Sequence, residues 1–264
     1  MLMAQTSFLA FLRKLSLFLL LIFVATGAYL SQLRATDWED TLWIAVYPIN
    51  GDGSEKAATY IESLNYESFS KLDQFVQQEA ERYGLDLSEP MRFDLGTPIY
   101  SQPPLPPQTG SVFDIAWWSL QLRYWASDST ESQTGPTPDV KIFVRYFDPE
   151  SSPVLGHSVG LEKGLIGIVN AFAVKSQQGS NQFVILHEVM HTLGASDKYD
   201  RANQPVFPQG YAEPELQPTH PQRYAEIMGG RIPLSRSTAT TPESLKQARI
   251  GMVTAMEINW LKQE

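Results

Sequence analysis

The sequence predicts an α+β fold in one large domain, because strand-like and helix-like segments are mixed and then followed by a loop-rich half. Residues 199–241 carry six prolines and few periodic apolar positions, so a regular series of β-α-β units is not expected there. Hydrophobic residues make up 43% and charged residues 19% of the chain, values typical of a globular domain with a real core.

The segments before the proline-rich stretch can be assigned in order. Residues 42–49 are apolar and aromatic and stop at an Asn-Gly-Asp-Gly turn, which predicts a strand. Residues 68–84 place apolar side chains on one helical face, and residues 91–100 predict a second strand. Prolines exclude regular structure from residues 101–110, and the Trp-rich residues 112–125 predict a buried helix.

Three more elements follow. Residues 140–147 alternate and predict a strand, and residues 181–193 predict a helix. Residues 244–261 predict a closing helix whose inward-facing side chains are Leu245, Met252, Val253, Met256 and Trp260.

The N-terminal residues 1–34 predict a signal anchor or a signal peptide. Residues 15–30 carry no charge and follow Arg13 and Lys14, the pattern of a membrane-directed segment. Sixteen residues fall short of the roughly 20 that a spanning helix needs, although Ser31 to Leu33 extend the run. Ala25-Thr26-Gly27 offers a cleavage site, which would make the protein secreted. Either way, residues 35–264 are expected to form a domain outside the cytoplasmic membrane. The remaining alternative for the N-terminal apolar segment is a buried helix.

The composition excludes several classes of function. The chain has 20 basic and 29 acidic residues and a net charge of −9, so nucleic acid is not an expected partner. The absence of cysteine excludes disulfides, thiolate metal sites and cysteine nucleophiles. A histidine-based metal site must draw on four residues, which are His157, His187, His191 and His220.

Residues 187–191 read His-Glu-Val-Met-His within the predicted helix 181–193. Positions four apart share a helix face, so His187 and His191 can point at one ion. Zinc is the expected metal, because catalytic zinc commonly keeps three protein ligands and a water. Glu188 is then placed to take a proton from that water. The plain alternative is two histidines that share a face without binding a metal.

Gly194 and Asp197 extend this motif. Gly194 lies where a helix can end through a left-handed residue, and the chain can then bring Asp197 back to the metal. Carboxylate oxygen is an acceptable zinc ligand. The alternatives for Asp197 are a helix-terminal acid or a calcium ligand together with Asp200, although the spacing is not that of an EF-hand loop.

The stretch HEVMHTLGASDKYD resembles the metzincin zinc-peptidase motif, in the variant with aspartate as third ligand that snapalysin-type and immune-inhibitor-A-like peptidases carry. The resemblance implies a twisted mixed sheet, an active-site helix, a C-terminal helix, one catalytic zinc ion and a peptide or protein substrate. It also implies a methionine turn, for which Met228 in Ile-Met-Gly-Gly is the matching residue. Residues 97–107 and 112–125 have no counterpart in the family's core.

A different zinc-peptidase arrangement would take a glutamate as third ligand, as in thermolysin-like enzymes. The candidates are Glu213, Glu215 and Glu226, of which the first two lie among prolines that work against the required helix. There are two non-enzymatic alternatives. One is a membrane-tethered binding or scaffold protein with a relic site. The other is a membrane-associated chaperone or assembly factor that uses the Trp-rich helix.

Several other residues have a possible role near the site. Residues 156–161 and 164–172 predict a hairpin turned at Glu162 and Lys163, and the first strand is expected to hold a peptide substrate. His157 on that strand and His220 are expected to be surface residues. Three tyrosines are candidates to stabilise an oxyanion, with ordinary packing as the alternative: Tyr199, Tyr211 and Tyr224.

Overall fold

The computed structural model describes residues 2–107, 110–131, 136–161 and 164–261, which form helices and a mixed β-sheet. This agrees with the predicted α+β class. The central sheet has five strands in the order β2-β1-β3-β5-β4. These strands are β1 (Leu42–Asn50), β2 (Met91–Leu95), β3 (Val140–Phe147), β4 (Val159–Leu161) and β5 (Ile166–Phe172).

Strands β2, β1, β3 and β5 pair in parallel, and only the edge strand β4 pairs antiparallel, with β5. Parallel neighbours need crossover connections, and helices provide them between β1 and β3. The first half therefore alternates strands and helices more regularly than the sequence indicated. The helices after the N-terminal segment are α2 (Glu55–Glu62), α3 (Ser70–Arg82), α4 (Val112–Thr130), α5 (Gln178–Thr192) and α6 (Met252–Glu257).

The two faces of the sheet carry separate apolar clusters. In β1, Ile44 and Val46 belong to the larger cluster, which also takes in buried side chains of α2, α3 and α5. Ala45 and Tyr47 point to the other face, where they belong to a smaller cluster with α4. Because successive side chains of a strand alternate between faces, one apolar strand serves both cores. Helix α5, which carries the histidine motif, therefore lies on the opposite face from α4.

Most predicted elements of the first half are present, with changed ends. Strands β1 and β3 match their predictions, whereas the strand predicted for residues 91–100 ends at Leu95. Helix α2 was not predicted; Ser54 caps it by accepting a hydrogen bond from the backbone N–H of Ala57. The predicted turn at residues 162–163 lies outside the described residues.

The prediction that the Trp-rich helix is buried is wrong for one of its sides. Helix α4 is longer than expected, and only its inner side packs on the sheet, through Trp118, Leu122 and Ala126. Trp117 and Tyr124 point outward and are exposed. The sequence pattern could not separate the sides, because α4 carries apolar residues on both.

The single C-terminal helix predicted for residues 244–261 is also wrong. A 3₁₀ turn, the two-residue strand β9 (Ala248–Arg249) and the short α6 replace it. Strand β9 pairs with β6 (Ala225–Glu226), and Gly251 precedes α6 in an extended conformation. Of the five side chains expected to face inward, Leu245 and Trp260 are buried, whereas Met252 is exposed and the other two are half-buried. Pairing with β6 thus competes successfully with local helix propensity.

The N-terminal segment forms helix α1 (Leu2–Ala35), which contains the uncharged run. Over the residues that the structure describes, no helix is both long and apolar enough to cross a membrane. Trp38 follows α1, and its indole N–H donates a hydrogen bond to the carbonyl oxygen of Ile258 at 2.7 Å.

Candidate metal centre

Helix α5 presents His187 and His191 on one face, one turn apart, as the motif predicted. Their Nε2 atoms lie 3.1 Å from each other, and the two rings are perpendicular. The helix is held against the sheet by buried apolar neighbours, which are Phe183, Ile185, Leu186, Val189 and Met190. Both imidazoles are therefore carried by a fixed, largely buried element.

The second ring nitrogen of each histidine is held by a backbone carbonyl. His187 Nδ1 lies 2.9 Å from the oxygen of Ile227, and His191 Nδ1 lies 2.8 Å from the oxygen of Ala195. A carbonyl oxygen only accepts hydrogen bonds, so each Nδ1 carries a proton and donates it. This arrangement fixes the ring orientation and turns both Nε2 atoms toward a common point, as in histidine metal sites.

The end of α5 reverses the chain through Gly194. This residue has φ +100°, the left-handed conformation that the sequence predicted. Gly194 N–H donates to the oxygen of His191, and Ala195 N–H donates to that of Met190, a Schellman-type ending. The reversal brings the following residues back alongside the histidines.

Asp197 is the residue brought back. Its Oδ1 lies 3.3 Å from His187 Nε2 and 3.1 Å from His191 Nε2. Three ligands bonded at about 2.0–2.1 Å to a tetrahedral ion stand about 3.3 Å apart, so the spacing fits. His187, His191 and Asp197 therefore form a group that could hold a metal ion, and among the described residues they are the one group of three such side chains.

The charges of this group are coupled. Partial burial acts to raise the pKa of Asp197, but hydrogen bonds from both histidines outweigh it and hold that pKa well below its ordinary value. Burial alone would lower the pKa of His191, yet the contact with Asp197 raises it. The site thus favours an ionised carboxylate beside positive charge, which either protons on Nε2 or a bound cation can supply.

Glu188 lies beside the group on α5 and is buried, with its side-chain Oε2 lacking a hydrogen-bond partner among the described residues. Burial raises the pKa of Glu188, although His187 and His191 oppose the shift. An unpartnered buried carboxylate oxygen is costly for folding alone. Such a group is suited to accepting a proton from a reactant in the site.

The edge strand β4 crosses directly over α5 at Gly160. A Cβ built on Gly160 would stand 2.5 Å from His191 Cβ and 2.9 Å from the carbonyl oxygen of Glu188. Only glycine allows this approach. The strand predicted to hold a substrate therefore lies directly against Glu188 and His191.

The segment around Met228 lies under the histidines. Met228 is fully buried in a tight turn, next to Ile227, whose carbonyl orients His187. The carboxylate of Glu226 holds the turn, because one oxygen accepts from the backbone N–H groups of Met228 and Gly229. Met228, the residue matched to the methionine turn, is thus linked to His187 through the carbonyl of the preceding residue, Ile227.

The three glutamates weighed as alternative ligands do not join the group. Glu226 uses its second oxygen to accept from Gly251 N–H and from the Thr254 hydroxyl. Glu213 forms a salt bridge with Arg223, which lowers its pKa, and Glu215 is exposed. Asp197 is therefore the carboxylate that the fold brings to the histidines.

Among the tyrosines, Tyr199 lies at the site. Its ring stacks on His187, with the two ring centroids 6.1 Å apart. Burial and the negative charge of Asp197 raise the pKa of Tyr199. By contrast, the Tyr211 hydroxyl forms a hydrogen bond with His220 Nε2 at 2.9 Å. Neither residue belongs to the group that could hold a metal ion.

The remaining candidates lie elsewhere. Tyr224 stacks under Arg249, with the guanidinium carbon 4.1 Å from the ring centroid. His157 is exposed, as predicted. Asp200, the suggested calcium partner of Asp197, instead accepts backbone hydrogen bonds from Ala202 and Gln204 in its own turn.

Sequence reasoning missed the residues that support the ligands. The carbonyls of Ala195 and Ile227 have no sequence signature, since every residue carries one. Glu226 was considered only as a ligand, although it holds the turn under the site. Gly160 was included in the predicted strand, but nothing local marks it as the point of contact with His191.

Comparisons with known proteins do not assign the chain to a family. No protein-family model matches it, and no curated protein matches it in sequence. Among the solved structures that match is one described as "Structure of a chaperone-substrate complex", with 15% sequence identity and a TM-score of 0.41. The match covers 83% of this chain and 34% of the other, so this chain spans about a third of that neighbour's length. A similarity this low carries no argument about function.

Proposed function

We propose that the chain is a zinc-dependent peptidase that hydrolyses peptide bonds outside the cytoplasmic membrane. The observation that carries the proposal is the convergence of His187 Nε2, His191 Nε2 and Asp197 Oδ1 at 3.1–3.3 Å, next to a buried glutamate. Two nitrogens and one carboxylate oxygen form a donor set typical of catalytic zinc. We further propose that the domain is metzincin-like, with Met228 in the methionine turn.

The bound zinc ion would supply Lewis acidity, which polarises the scissile carbonyl and acidifies the attacking water. Glu188 would act as the general base that takes the proton from this water and passes it to the leaving amine. Its burial supports this role, because a raised pKa makes the carboxylate a better proton acceptor. The carbonyls of Ile227 and Ala195 would keep both imidazoles in the productive orientation.

Strand β4 would align the substrate. It ends the described sheet, so its outer backbone edge is open to a peptide that adds as a further strand. Gly160 keeps this edge close to Glu188 and His191, which would bring a paired peptide toward the reacting groups. The substrate class is therefore an extended peptide or an unfolded protein segment.

The test compares full-length parent protein with Glu188→Gln, and with the exposed Glu215→Gln as a matched control. We expect close to one zinc ion per chain in all three proteins by elemental analysis. Hydrolysis of a peptide library should be sensitive to a chelator, and Glu188→Gln should reduce it by roughly 10²–10⁴-fold. Full activity of zinc-loaded Glu188→Gln would contradict the mechanism. A parent protein that binds zinc but cleaves nothing would instead be a binding protein with a relic site.

A further inference from the structure

Helix α4 carries a second apolar stripe that the fold does not use. Phe113, Trp117, Leu120 and Tyr124 are 84%, 64%, 53% and 74% exposed. The opposite side of the same helix already packs on the sheet. The stripe is therefore not required to hold α4 in place.

The spacing of the stripe is that of a helix–helix seam. Its four residues follow one another at intervals of four, three and four, which is the alternation of a coiled-coil heptad. On an α-helix these positions fall within one narrow face.

The stripe is also self-complementary. The intervals are symmetric about the midpoint between Trp117 and Leu120, so a two-fold axis there superimposes the seam on itself in antiparallel orientation. Phe113 then meets Tyr124 of the second copy, and Trp117 meets Leu120. Every layer pairs two large apolar side chains, as an isologous dimer interface requires.

The exposed area fits such a contact. The four side chains leave on the order of 500 Å² exposed, since an aromatic side chain alone carries roughly 150–250 Å². A standard interface takes about 800 Å² from each partner, so the stripe would form its apolar core and the flanking residues its rim. One flank of the stripe carries Asp114 and Asp128, and the other carries Arg123. A lipid-bound helix typically carries several basic residues beside its apolar face, so this mixed charge favours a protein partner.

We propose that two copies of this chain form an antiparallel dimer through this stripe on α4. The inference goes beyond the proposed peptidase activity and does not depend on it, because α4 and the metal-binding group lie on opposite faces of the sheet. A Glu188→Gln protein should dimerise as the parent does.

The absence of cysteine allows a clean cross-linking test. Full-length Phe113→Cys and Tyr124→Cys proteins, each with a different affinity tag, are mixed in detergent and oxidised. We expect a mixed disulfide dimer, with much less product from either variant alone. Equal or stronger cross-linking of Phe113→Cys to itself would contradict the antiparallel arrangement.

A second variant tests the dimer without cross-linking. Leu120→Glu should raise the dimer dissociation constant at least 10-fold in sedimentation measurements, because it places two charges in the seam. Met252→Glu, at a site 63% exposed on another helix, is the control and should leave the constant unchanged. A parent protein that sediments as a monomer, together with no mixed disulfide from the two cysteine variants, would overturn the proposal. In that case, an apolar environment reported by a fluorophore on Phe113→Cys in lipid vesicles would assign the stripe to a bilayer.

Discussion

Gly160 and His191 approach each other so closely that a methyl group on Gly160 would stand 2.5 Å from His191 Cβ. The contact joins the edge strand β4 to the helix that carries two of the three residues that could hold a metal ion. Because Gly160 has no side chain, β4 packs directly against His191, so a shift of β4 at this point would also move the imidazole.

Gly160→Ala should weaken metal binding, because the methyl group must displace either β4 or the His191 ring. Changes in the residues that orient metal ligands typically cost about 10–100-fold in affinity, and we expect a loss in that range by competition with a chelator. Gly156→Ala is the matched control, since its methyl group would lie 3.8 Å from the nearest atom, in ordinary contact. Equal affinities of the two variants would show that the close approach does not govern the site.

Asp197→Ala should reduce zinc affinity far more than Asp200→Ala. Asp197 supplies the third converging atom, whereas Asp200 only caps its own turn. Asp197→His should largely restore binding, since an imidazole nitrogen can occupy the same corner. Calorimetric titration of zinc into the metal-free proteins measures the difference. If Asp197→Ala bound zinc like the parent, the third ligand would have to be sought elsewhere.

Glu226→Gln should destabilise the domain although it preserves shape. The Glu226 carboxylate is fully buried and accepts four hydrogen bonds, from Met228, Gly229, Gly251 and Thr254. In glutamine, an NH2 group replaces one of the two accepting oxygens, so its N–H bonds would face two donors and two hydrogen bonds would be lost. We expect this to lower the free energy of unfolding by about 2–4 kcal/mol.

Urea denaturation of Glu226→Gln measures this cost, with the exposed Glu215→Gln as control. A cost below about 0.5 kcal/mol would mean that the four hydrogen bonds contribute little net stability.

Ionisation of Asp73 should lower the free energy of unfolding as the pH rises from about 4 to about 6. Burial raises the pKa of Asp73 to about 6, although its hydrogen bond from the Phe93 N–H opposes the shift. The folded state therefore prefers the protonated acid, and the stability present below the unfolded pKa is lost as pH rises through the folded pKa. Asp73 is only half-buried, so solvent screening limits the expected change to roughly 1 kcal/mol.

Asp73→Asn should remove this part of the pH dependence in urea denaturation curves. Asp86→Asn, at an exposed position in the same region, should keep the parental profile. An unchanged profile in Asp73→Asn would show that Asp73 ionises in the folded state at no cost.

Elements with a strong local signal can be predicted from the sequence. Strands β1 and β3 follow from short runs of apolar residues, and α5 from its apolar periodicity. The pairing of His187 with His191 needs only helix geometry, because four residues make about one turn. Gly194 was likewise predictable as the residue that ends α5, since the left-handed conformation favours glycine. The sequence therefore predicts two of the three residues that could hold a metal ion from local helix geometry alone.

Contacts between distant segments could not be predicted in the same way, because they depend on how the whole chain packs. The C-terminal helix was mispredicted because residues 248–249 pair with a strand more than 20 positions away. Helix α4 carries apolar residues on both sides, and its sequence alone does not say which side the sheet covers. The close approach of Gly160 to His191, and the four hydrogen bonds that occupy Glu226, likewise depend on residues far apart in the chain. Local propensity acts over a few residues, whereas burial and hydrogen-bond partners are settled only when the whole chain packs.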